Sequence, residues 1–174
     1  MGPVPDPSFK NFPLCHFPLV WIAGKGINVP NRKLYLEELV NWPILTYARN
    51  TKPFIEISDC FSRLSTLPAR FISSSSLAAC YRLVMFNIGI SALPKTMVQQ
   101  GIDNDQVKQI EVTWSPSALN FTASYPISPY NLLLEDAAKL ALQCASEYDD
   151  SDMNSMFRSL LRTLGQDHCC INLR

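Results

Sequence analysis

The stretch Ser73–Pro94, SSSSLAACYRLVMFNIGISALP, leaves this chain few options. Serine is favoured just before a helix, where its hydroxyl caps free backbone N–H groups. Leu77, Cys80, Tyr81, Val84 and Ile88 then recur at helical spacing, which predicts one buried face. Asn87 and Gly89 tolerate positive φ, so the helix can end there and the chain reverse. Ile90–Leu93 is a short apolar run that fits a buried strand. Pro94 is suited to the first position of another helix. The free N–H groups and hydroxyls of the serine run also suit a carboxylate or other anion.

The segments around this stretch alternate in the same way. PLVWIA (18–23) has the composition of a buried strand, and Gly24-Lys25-Gly26 reads as the turn after it. Leu34–Val40 forms an amphipathic turn or two that Pro43 stops, and ILTYA (44–48) is a second strand. Pro53 opens a helix carrying Phe54, Ile57, Phe61 and Leu64 on one stripe, and Ala69–Ser73 is a third strand. Lys95–Gln100 reads as a helix closed by Gly101. Val107–Val112 and Leu119–Tyr125 are further strands joined by a Ser-Pro turn. A helix from Pro129 to Glu147 turns Leu133, Ala137, Leu140, Ala141 and Cys144 inward. Residues 149–152 form a polar hinge, and Met153, Met156, Phe157, Leu160, Leu161 and Leu164 follow the spacing of a last amphipathic helix. The prediction is an α/β fold: a Rossmann-like lobe with a mixed, mostly parallel sheet and helices on both faces.

Composition removes several function classes. Fifteen basic and fifteen acidic residues cancel, so nothing marks a phosphate-gripping surface. No apolar run is long enough to span a bilayer, and MGPVPDPSFKNFP is not a signal peptide. The first seventeen residues read as a loop or cut end. Six irregularly spaced cysteines suggest no disulfide framework; Cys60, Cys80 and Cys144 read as reduced core residues in a cytoplasmic setting. His168-Cys169-Cys170 lacks the four spaced ligands of a zinc site, so no cofactor is expected. His16 and His168 fall in end segments, neither with a Ser or Cys in a nucleophile-elbow context, and no acid, base or nucleophile converges.

The order of these pieces resembles the effector-binding domain of LysR-type transcriptional regulators. PARFISSSSLAACYRLVMFNIGISALPKTMV (68–98) carries most of the resemblance, including a "G-x-G-x-x-x-L-P" corner in which Asn87 stands where the family usually has the first glycine. PLVWIAG, YLEELVNWPILTYARNT and LNFTASYP fall in the family's order as well. The resemblance implies a fold of the periplasmic-binding-protein type, in which two α/β subdomains face each other across a small-molecule cleft and the chain crosses between them twice. Residues 18–116 would form the second subdomain, 117–147 a return strand and helix of an incomplete first one, and 148–174 an amphipathic helix and tail. The winged helix-turn-helix and most of the first subdomain are expected to be missing before Phe17, an N-terminally truncated regulator.

The resemblance also implies that Ser74, Ser75 and Ser76 line the effector cleft, with Thr46 opening onto the same crevice. A small, anionic metabolite is the expected ligand and a homo-oligomer the expected assembly. DNA would be reached only through the missing domain, and no membrane contact is expected. The helix from Pro129 would present a stripe whose cover is mostly not encoded here. A free-standing solute-binding protein of the same fold is the alternative reading; an enzyme on an α/β scaffold is disfavoured.

Overall fold

The computed structural model describes residues 2–64 and 68–147. In chain order these form β1 (Phe9–Phe17), β2 (Leu19–Gly24), a 3₁₀ turn (Leu36–Asn41), β3 (Ile44–Thr46), α1 (Lys52–Ser62), β4 (Phe71–Ser73), α2 (Leu77–Met85), β5 (Ile90–Pro94), α3 (Lys95–Asp103), β6 (Val107–Ile110), β7 (Leu119–Pro126) and α4 (Leu132–Glu147). They divide into two compact units, one spanning His16–Phe121 and the other Pro3–Cys15 with the chain from Thr122 on. The hinge and last helix read in residues 148–174 lie outside the described residues.

The larger unit is built on one open sheet in the order β4-β3-β5-β2-β6. β3 is parallel to both β4 and β5, while β2 runs antiparallel to β5 and β6. Four strands therefore point one way and β2 alone the other, the mixed and mostly parallel sheet that the alternation of elements predicts.

Side chains along each strand alternate between two cores. Leu19, Trp21, Ala23, Ile44, Ile90, Ala92 and Ile110 share one core with Ile57 and Phe61 of α1. Ile22, Leu45, Leu93 and Val107 share the other with Cys80 and Val84 of α2 and Val98 of α3. The first core is aromatic: Phe61 meets Trp21 and Phe71 edge-on, with ring centroids 6.5 and 5.8 Å apart. Ile22 is fully buried, and truncating such an isoleucine to alanine costs about 2–5 kcal/mol.

Several expectations are corrected. Residues 9–17 form strand β1 instead of a loop, paired with β7 in a two-stranded sheet. Pro13 is tolerated because both strands of a ribbon are edges. Gly101 does not close α3, which runs on to Asp103 and turns at Asp105, φ 57°. Gly101 is instead buried against Tyr81, whose hydroxyl stands where a β-carbon would go. Ile88 lies past the end of α2 and is 46% exposed. Asn87 does take positive φ, at 60°. Gly89 does not; it is needed because a β-carbon there would strike the Pro43 carbonyl.

The smaller unit departs further. α4 begins at Leu132, after the cis Ser128–Pro129 bond. Ala138 is its buried residue, whereas Leu133 is 77% and Leu140 60% exposed. Cys144 is exposed and Cys60 only half-buried, which leaves Cys80 as the one core cysteine of the three. A two-stranded ribbon offers little surface, so only a narrow face of small residues is sunk and the leucines stay outside.

Candidate functional site

Three parallel strands end at one edge of the sheet, and each hands the chain to a helix: β3 to α1, β4 to α2 and β5 to α3. Such an edge collects helix N-termini, whose first N–H groups have no partners within the helix. The larger unit's chain also enters here, because Lys95 N–H donates to Pro18 O at 3.0 Å.

Thr46 and the serine run meet at this edge. Thr46 pairs with Ser73 in the parallel register. Its carbonyl accepts from Ser74 N–H at 2.9 Å and from the Cys80 thiol at 3.5 Å, which ties β3 to the start of α2. The Thr46 hydroxyl is itself buried and has no hydrogen-bond partner. An unpaired buried hydroxyl costs about 1–3 kcal/mol.

The serines divide their tasks. Ser76 is the N-cap of α2, its hydroxyl accepting from Ala79 N–H at 3.3 Å. The Ser74 hydroxyl accepts from Ser76 N–H at 3.1 Å and donates to Ser76 O at 3.3 Å. Ser75 lies between them, exposed, with no such internal bond. Capping therefore occupies Ser76 and steadies Ser74, while Ser75 remains the unengaged hydroxyl of the three.

Tyr47 and Thr51 belong to the same edge although the sequence reading passed over them. Tyr47 is buried, its hydroxyl donating to Ala92 O at 3.0 Å, and burial holds its phenol neutral far above the usual range. Thr51 caps α1 by accepting from Phe54 N–H at 3.4 Å and donates to Ala48 O at 2.7 Å. Thr-Lys-Pro is a readable helix start, and it could have marked this second N-terminus.

The edge presents hydroxyl and backbone N–H donors and one buried thiol. Burial pushes the Cys80 thiol up, away from its reactive thiolate form. No group of three His, Cys, Asp or Glu residues among the described residues could hold a metal ion. His16 bonds the side-chain oxygen of Asn120 through Nδ1 at 2.7 Å.

An open α/β sheet with polar residues at its carboxyl edge, and with β1 and β7 continuing into a second unit, is a ligand-binding architecture of the periplasmic-binding-protein type. The chain belongs to the LysR substrate binding domain family, whose description matches residues 1–137. Domains of this family are regulatory ligand-binding modules and not enzymes.

Solved structures agree in fold. The apo regulatory domain of HypT from Salmonella typhimurium superposes with a TM-score of 0.67 at 18% identity, over 83% of this chain and 68% of that one. The effector binding domain of QuiR in complex with shikimate gives 0.62 at 16%, over 83% and 68%. The Synechocystis PCC6803 CcmR regulatory domain in complex with 2-PG gives 0.64 at 11%, over 83% and 70%. The chain covers 48% of full-length HypT. Comparison with curated proteins finds no match.

Proposed function

We propose that this chain is the ligand-sensing module of a LysR-type regulator and binds a small anionic metabolite at the carboxyl edge of its five-stranded sheet. The observation that carries this reading is the buried, unpartnered Thr46 hydroxyl beside Ser74–Ser76. A fold does not keep such a cost without a use, and a bound oxygen would relieve it. Ser75 and the first N–H groups of α2 supply donors, and the positive end of the helix dipole favours negative charge. Similar domains have been solved with shikimate, a carboxylate, and with bromide. The module works in a cytoplasmic setting, contacts no DNA directly and self-associates through α4.

Calorimetric titration with a panel of organic acids, shikimate included, tests the site. Binding should weaken about tenfold in Ser75→Ala, a loss of about 1.4 kcal/mol. Tight binding that survives replacement of all three serines by alanine would place the ligand elsewhere.

A further inference from the structure

The larger unit has a concave feature on the opposite flank of the sheet from β4. A cleft of about 350 Å³ lies between the loop Val29–Arg32 and the outer side of β6, Lys108–Glu111. That volume falls at the lower end of small-molecule sites.

The backbone of β6 is open there. Lys95 N–H bonded to Pro18 O sets the phase of the β2–β5 ladder. With that phase, the backbone groups of Trp21 and Ala23 turn toward β6, where they pair with Ile110 and Lys108. Gln109 and Glu111 then direct their N–H and C=O groups away from the sheet. Leu34 takes up the far end of this edge, donating to Glu111 O at 2.8 Å and accepting from Thr113 N–H at 2.9 Å. Gln109 faces the cleft with one donor and one acceptor and no bond from the loop opposite.

Charge brackets this open position. The Lys108 ammonium donates to Ile27 O at 2.9 Å and has no carboxylate within ion-pair reach among the described residues, leaving two N–H groups to give. Glu111 is exposed and likewise without a cation. Arg32 is not free, since its guanidinium grips Glu38 through two bonds of 3.0 and 2.6 Å and so stiffens the wall. Lys108 and Glu111 are three residues apart, about 10 Å along a strand, and leave it on opposite faces, Lys108 on the face of Ile110 and Glu111 on the face of Val107, above and below the plane an added strand would take. An extended di- or tripeptide spans about 7–10 Å.

We propose that this cleft is a second ligand site, separate from the carboxyl edge, and that it takes a free di- or tripeptide as a short added antiparallel strand. The peptide amide exchanges bonds with Gln109, its carboxylate meets Lys108 and its ammonium meets Glu111. The proposal does not depend on the anion site.

Tri-alanine titrated into the isotope-labelled chain tests it by amide NMR. Saturable shifts at Asn31, Arg32 and Gln109 are expected. Affinity should fall about tenfold in Lys108→Met and Glu111→Gln, with C-amidated tri-alanine and with N-acetyl-tri-alanine, and stay unchanged in Ser75→Ala. The two capped peptides read the charges without altering the protein. Absence of saturable shifts at these residues, or capped peptides that bind as tightly as free tri-alanine, would overturn the proposal.

Discussion

Asn87 Oδ1 accepts from Gly26 N–H at 2.9 Å, joining the end of α2 to the turn that follows β2. The same residue holds φ at 60°, a conformation that glycine adopts freely and asparagine better than most. Asn87 thus takes a backbone role open to glycine and adds a bond glycine cannot make. Asn87→Ala should lose both, about 2 kcal/mol, and Asn87→Gly only the bond, about 1 kcal/mol. Urea midpoints of the two variants decide this; equal losses would contradict it.

Glu38 carries an acid-range expectation. The Arg32 hydrogen bonds, then Tyr35 N–H, hold its carboxyl down to about 2 from an ordinary 4.5. A depressed folded value means the stabilisation is complete above pH 4.5 and is lost as pH falls toward 2. The unfolding midpoint should fall across that window, and Glu38→Gln should flatten the fall. Because the pair is exposed, the difference should shrink in 1 M salt. A pH profile of Glu38→Gln parallel to the parent's would refute the assignment.

Thr46 sets stability against binding. Thr46→Val removes a buried hydroxyl without a partner, so the melt should rise by the equivalent of about 1 kcal/mol. Affinity for the organic acid should drop in the same variant. A variant that loses stability shows that the hydroxyl is already satisfied.

The α4 leucines are the next test. Leu133 and Leu140 stand largely in solvent, and contiguous apolar surface promotes association. Light scattering at micromolar concentration should find pairs or larger species, and Leu140→Glu should shift them toward monomer. A monodisperse parent, unchanged by Leu140→Glu, would end the proposal of self-association through α4.

DNA binding gives a fifth expectation. With net charge zero, this chain should form no sequence-dependent complex in a low-salt gel shift. A complex competed only by its cognate duplex would contradict that.

The sheet was legible wherever local rules and tertiary structure agree. Trp21 and Ile22 sit in a strand-like run, Thr51–Pro53 starts a helix, and Asn87 ends one. β1 was not legible, because Pro13 and the charged neighbours of Phe9–Phe12 hide a strand whose sheet partner among the described residues, β7, is more than a hundred residues away. For α4 the periodicity put Leu133 and Leu140 inward, whereas their exposure matches the uncovered stripe that the resemblance implies: periodicity reports which residues could be buried, and not whether a surface exists to bury them. At the site, the serine run announced itself as a cap. The Thr46 hydroxyl could not, since lacking a partner is a property of the packed interior.

The reversed strand β2 has a consequence for how the chain is made. It lies between β5 and β6, so both of its partners are synthesised long after it. About 80 residues separate Gly24 from Val107; at about 5–20 residues per second, β2 waits on the order of 4–16 s for its second neighbour. Until β5 is made, most of that interval, Leu-Val-Trp-Ile-Ala has neither edge paired, and these non-local contacts are slow to close. A newly made chain is then most dependent on chaperones before β6 arrives, and ribosome-bound chains halted ahead of Val107 should be the ones a holdase captures.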